Sequence, residues 1–182
     1  MRKVILTFGV LAVLFAFSAK AIDSPNAGSG TYVTAADVKA SLGKTDLSKT
    51  SDTIIRMIDV GNANVGVAIV HRPKAAKGQA GNALRHTKVI EVYYVVEGRA
   101  VMVTGGKLLD AKPFPLAVQE ADSFGPSLQG SSADPAGSET RTIGPGDIVF
   151  VPAGTTHYFS EIPLDLTYLV YRFDPTKVAK TH

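Results

Sequence analysis

Four histidines and a glutamate carry the chemical potential of this sequence, and their spacing narrows the field. His86 and Glu91 stand in RHTKVIEVYYVVEG with Gly98 beyond them, a spacing H-x4-E-x6-G. His157 closes GDIVFVPAGTTH, a spacing G-x5-P-x-G-x2-H over Gly146, Pro152 and Gly154. The second pattern predicts a strand, a tight proline-glycine turn and a new strand starting near the histidine, with His157, Phe159 and Glu161 on one face. The odd offset between His86 and Glu91 keeps one regular strand from pointing both inward. A turn over residues 87–90 lets them converge from neighbouring strands, and Glu91, Tyr93 and Val95 then share the interior face while Val92, Tyr94 and Val96 face away. A glutamate opening an apolar strand is costly to bury unless it is ionically compensated. Two imidazoles alone do this poorly, whereas a divalent cation between them does it well.

The other candidates rank lower. His71, in VGVAIVHRP, ends a predicted strand and is expected as a hydrogen-bonded residue more than as a fourth ligand; His182 is expected in a disordered tail. Gln79 and Arg85 flank the first pattern and are expected to be solvated. Tyr93, Phe159 and Tyr168 read as interior lining, and Arg172, although it alternates with Tyr168 and Val170, is expected to be exposed near a strand end. The chain has no cysteine, so disulfides and thiol catalysis are excluded and any metal must bind through nitrogen and oxygen.

These residues need a scaffold, and 182 residues suffice for one domain. Residues 1–21 read as a secretory signal peptide: Arg2 and Lys3 precede an apolar run from Val4 to Phe17, and Ala19-Lys20-Ala21 forms an A-x-A exit. The run is shorter than the roughly 18 residues needed to span a bilayer. Cleavage is expected after Ala21, giving a secreted or periplasmic protein. Without Arg2, Lys3 and Lys20 the remaining chain has 16 basic and 16 acidic residues, and so no charge excess that would draw it to nucleic acid or membrane.

Residues 22–52 read as an arm containing a short helix over 35–42, capped by Thr34 with Asp37 three residues on and stopped by Gly43. Residues 53–176 read as β throughout: SDTIIRMID, VGVAIVHR, IEVYYVVEG, RAVMVTGG, RTIGPGDIVFVPAG, HYFSEI and LTYLVYRFD are strand candidates divided by glycine and proline. No helical segment separates them, so an antiparallel sandwich or barrel is expected. Residues 108–138, rich in proline and glycine, read as a long loop whose first half is expected to be a lid or a mobile excursion. Residues 177–182 form a tail.

With both patterns in order in a β-rich chain, the sequence resembles the cupin superfamily, whose signatures are G-x5-H-x-H-x3-4-E-x6-G and G-x5-P-x-G-x2-H-x3-N. Gly78, His86, Glu91 and Gly98 match the first, with Leu84 in place of its leading histidine. Gly146, Pro152, Gly154 and His157 match the second, with Glu161 in place of asparagine. The resemblance implies an all-β, cupin-type jelly-roll barrel holding one divalent transition metal (Fe, Mn, Ni, Cu or Zn) on His86, Glu91 and His157. Two histidines and a carboxylate match the set that binds non-haem iron with open positions. The implied function is a metal-dependent enzyme acting on a small organic molecule, an oxygenase-type oxidoreductase, with Tyr93 and Glu161 as candidates for proton handling. The alternative is a non-catalytic exported module that binds a small molecule or metal, which the loss of a ligand at Leu84 favours. Pairing through the outer stripe Val92, Tyr94 and Val96 implies a homodimer.

Overall fold

The structure is a computed structural model that describes residues 30–114, 125–179 and 181. The expected signal peptide with its cleavage site, the start of the arm, residues 115–124 of the insertion and His182 lie outside the described residues. Helix α1 (Ala35–Leu42) forms where its capping residues place it: Thr34 Oγ1 accepts from the Asp37 backbone N–H at 3.2 Å, and the Asp37 carboxylate accepts from the Thr34 N–H at 2.8 Å. The helix buries none of its residues fully and rests on the first two strands.

Among the described residues the strands are β1 (Ser51–Asp59), β2 (Asn64–Arg72), β3 (Ala83–His86), β4 (Ile90–Gly105), β5 (Lys112–Pro113), β6 (Ser127–Gly130), β7 (Ser138–Ile143), β8 (Ile148–Val151) and β9 (His157–Asp174). All their pairings are antiparallel. Four predicted strands merge into two long ones, since β4 and β9 each run through both halves of the sheet. Their first and last parts pair differently. In one half the order is β1-β2-β9-β4-β8, using Leu166–Asp174 of β9 and Ile90–Val95 of β4; in the other it is β7-β4-β9-β3-β6-β5.

The bend between the halves has a visible cause. Register shifts fall between Val95 and Met102 along the β4–β9 ladder. Gly98 sits there at φ +91°, where a Cβ would lie 1.9 Å from the Asp165 carbonyl oxygen, so only glycine fits. Pro163, which has no N–H to give to a ladder, occupies the same irregular stretch of β9. The bend lets both halves share one core, with Ala68, Val95, Met102, Phe159, Leu166 and Val170 among its buried residues. The fold is therefore an all-β jelly roll whose sheet is not closed, because β1, β5, β7 and β8 each keep one edge unpaired among the described residues.

The insertion differs from the expected loop. Residues 127–130 form β6 and pair with β3, while Pro113 and Lys112 pair with β6 in turn. The sequence SLQG is too short for its alternation to be recognised, and it is fixed by its neighbour. Part of the tail is also held: Ala179 is buried, and its carbonyl accepts from the Asn64 side chain.

Candidate metal centre

His86 ends β3, Glu91 is the second residue of β4 and His157 opens β9, so three strand ends meet at one end of the core. Each offers one ligand atom within 4.8 Å of the others, and all three side chains are buried. The Glu91 Oε2 lies 3.5 Å from His86 Nε2 and 3.5 Å from His157 Nε2. The turn before β9 is held to β3 by the Gly154 N–H, which donates to the His86 carbonyl at 2.7 Å.

Hydrogen bonds on the far side of each ring fix the tautomer. His157 Nδ1 lies 3.1 Å from the Thr155 carbonyl, which can only accept, so Nδ1 carries the hydrogen and Nε2 the lone pair. For His86, the partner of Nδ1 is Ser127 Oγ at 2.7 Å. The Ser127 hydroxyl donates to the Gly125 carbonyl, so its oxygen accepts from Nδ1–H and Nε2 again carries the lone pair. Burial lowers His86 to about 4, with Glu91 opposing, and burial also lowers His157, so both rings are neutral at physiological pH. Two imidazole lone pairs and a carboxylate oxygen thus face one another. Such a constellation of acceptors suits a cation, and outer partners of this kind orient metal-binding imidazoles.

Glu91 remains ionised in spite of its depth. Burial pushes its carboxyl up, but His86, which is charged in the acid range below about 4, together with Arg172, His157 and the Tyr93 hydroxyl outweighs this and holds it at about 2. Arg172 Nε donates to Glu91 Oε1 at 3.1 Å, and Tyr93 donates to Oε2 at 2.8 Å. The terminal nitrogens of Arg172 form a two-pronged bond with Asp52. Arg172 is therefore not exposed as its place near a strand end implied. It is 2% exposed, because it continues the inward row of Tyr168 and Val170 and its charge is met by two carboxylates.

The cavity over these groups measures about 20 Å³, room for one ion or water. Leu84, Tyr168, Val170 and Arg72 complete its walls. Leu84 stands opposite His157 in the β3–β9 pairing and puts an apolar side chain where the cupin pattern has a histidine. Tyr93 lines the cavity; burial beside the Glu91 carboxylate raises its phenol well above the ordinary value, so it keeps its proton. Glu161 does not line the cavity. The register shift between Val101 and Met102 breaks the alternation after Phe159, Ile162 takes the buried position and Glu161 is left half-buried. His71 is not in the cluster: its Nδ1 lies 3.2 Å from Thr167 Oγ1 and its Nε2 3.1 Å from the Leu47 carbonyl, so it ties the arm to the sheet. Gln79 and Arg85 do not line the cavity, and Phe159 packs in the core below it.

Sequence reasoning missed Asp52, Arg72 and the two orienting partners Ser127 and Thr155. Arg72 was legible in principle, since it shares the parity of Ala68 and Val70 on β2. Ser127 was not, because nothing in the sequence shows that β6 pairs with β3.

No family model matches the chain, and no curated protein matches it. Solved structures similar to it include the DMSP lyase DddQ from Ruegeria pomeroyi DSS-3, 16% identical with a TM-score of 0.43 over 69% of this chain and 47% of that one. An oxalate oxidase is 18% identical with a TM-score of 0.41 over 71% of this chain and 53% of that one. KdgF from Halomonas sp. is 15% identical with a TM-score of 0.43 over 71% of this chain and 84% of that one. This chain spans about half the length of the first and second of these proteins, and at such low similarity the likeness does not reach substrate or reaction.

Proposed function

We propose that this cupin-like protein holds one divalent transition metal on His86, Glu91 and His157 and acts as a metal-dependent enzyme of oxygenase type on a small organic molecule. The carrying observation is the convergence of two lone-pair Nε2 atoms on one carboxylate oxygen, each ring fixed from behind by a hydrogen bond. A metal there would supply Lewis-acid or redox chemistry. With Leu84 in the fourth position, three protein groups leave coordination sites for exogenous ligands. Arg172 keeps Glu91 anionic, and Tyr93 holds a proton at Glu91 Oε2 where it could be passed inward.

The small cavity favours a second reading, a module that binds a metal or small ligand without turnover, since about 20 Å³ admits no organic substrate unless the walls move. Export by the N-terminal signal and pairing of two copies belong to the same proposal. The outward residues Ile90, Val92, Tyr94, Ile148, Phe150 and Tyr171 lie side by side across β8, β4 and β9 and carry no charge, so a second copy offers the matching apolar surface.

Elemental analysis of protein purified from its native compartment tests the central claim. Stoichiometric metal is expected in the parent and none in Glu91→Ala or His157→Ala; metal-free parent protein would remove it. Oxygen consumption by the metal-loaded form separates the enzyme from the binding module.

A further inference from the structure

Two arginines reach the cavity, and they are treated differently. Arg172 is enclosed and answered by Glu91 and Asp52. Arg72, at the end of β2, has no carboxylate oxygen within 4.0 Å among the described residues. Its Nε donates to the Tyr168 hydroxyl at 3.2 Å, and its guanidinium carbon lies 5.1 Å from the centre of the Phe159 ring. These contacts fix the stem and one edge of the guanidinium, and they leave the Nη1 and Nη2 fork without a hydrogen bond to any described residue. A half-buried cation held on an aromatic floor with its fork unspent is built to receive an anion.

We infer that Arg72 is the recognition residue for a small carboxylate at the cavity of His86, Glu91 and His157, whose walls must part from their present volume of about 20 Å³ to admit it. The planar fork matches one carboxylate through two parallel N–H···O bonds, a match that a lysine or a neutral donor cannot make. The charge around the cavity agrees. Arg172 is shared between Asp52 and Glu91, so that end is negative in the metal-stripped protein while the Arg72 end is positive. A divalent ion on Glu91 would make both ends positive and strengthen the preference. The inference rests on the cavity being the ligand site and names the class of ligand it takes, but it does not require the metal.

The test uses the full chain, both stripped with a chelator and loaded with Mn(II), and malonate as the probe against the uncharged malonamide at constant ionic strength. Malonate is expected to bind the parent in both forms and to raise its melting temperature, with malonamide inert. In Arg72→Gln the apparent Kd for malonate is expected to rise roughly tenfold or more, the range for a charge-assisted bond. Equal Kd values in parent and variant, equal responses to malonate and malonamide, or no malonate binding to the parent would each overturn the inference. Should Arg72→Gln fail to fold by circular dichroism, Arg72→Lys decides: weaker binding than the parent supports the fork, and undiminished binding overturns it. Failure of the parent to bind Mn(II) would exclude that ion from the site and leave the comparison on stripped protein intact.

Discussion

The two faces of the ladder that joins β4 to β9 depart from the usual distribution of polarity, since one end of the inner face buries charge and the outer face exposes large apolar side chains. The buried face begins with Glu91 and Tyr93 on β4 and ends with Tyr168 and Arg172 on β9, and Glu91 is 2% exposed. The opposite face carries Tyr94, Val96 and Tyr171, joined by Phe150 of β8, which is 71% exposed. Ordinary burial would place the apolar row inside. Here Glu91 and Arg172 lie inside, in a row with Tyr93, Val95, Tyr168 and Val170, because they answer one another, and the outer row is left apolar as well. The inner face is thus a set of interdependent charges whose members are costly to remove singly, while the outer face is a set of independent contacts with water.

The largest consequence concerns Arg172. In the metal-stripped protein, Arg172→Met strands the Glu91 carboxylate in a low-dielectric site, and breaking one side of a buried ion pair costs about 3–5 kcal/mol. Urea unfolding should show a loss of this size. Adding Glu91→Gln to Arg172→Met should recover a large part of it, since the cost comes from the stranded charge. If the double variant is as unstable as the single one, Arg172 acts through its packing and the inner face is no charge network.

Next in size is the response to acid. Buried His86 takes up a proton at about 4 in the folded chain against 6.5 ordinarily, so between those values the unfolded chain holds more protons. Stability is full above pH 6.5 and falls as the pH drops toward 4, by an amount on the order of 3 kcal/mol. His157, also lowered by burial, acts in the same direction. Glu91, lowered from 4.5 to about 2, adds a further loss below pH 4.5. Melting temperatures of stripped protein across this range should trace both stages, and the upper stage should shrink in His86→Asn. A flat profile from pH 7 to 4 would mean that these rings are not held neutral.

Much of this was legible from residue types and spacing. Thr34 and Asp37 marked the helix start because capping is local, and the two histidine patterns marked the converging strand ends because proline and glycine fix the turn between β8 and β9. The failures share another cause. Arg172 and Arg72 follow the inward parity of their strands, yet hydropathy argues for exposing arginine, and only the carboxylates and rings brought by other strands reverse that argument. Glu161 failed differently: one register shift beyond Phe159 moved it off the inward face, and shifts of this kind depend on the partner strand. The fusion of four predicted strands into β4 and β9 was hidden for a similar reason, since Gly98 reads as a strand end until Asp165 is seen to press against it.

The smallest effect on the single chain is expected on the outer face, and there the same change should show in assembly. Phe150→Asp replaces an exposed ring on β8 opposite Val92 of β4. The ring is largely exposed among the described residues, so the stability of the isolated chain should stay within about 0.5 kcal/mol of the parent, as for ordinary surface changes. In an isologous pair the charge enters the interface twice and must be desolvated in both copies, so the proposed dimer should dissociate. Light scattering at micromolar protein should give a dimer mass for the parent and a monomer mass for the variant. A monomeric parent would remove the proposed pairing. A dimer that survives Phe150→Asp would move it to another surface, and the apolar row would then be no more than what the inward turn of the charges left outside.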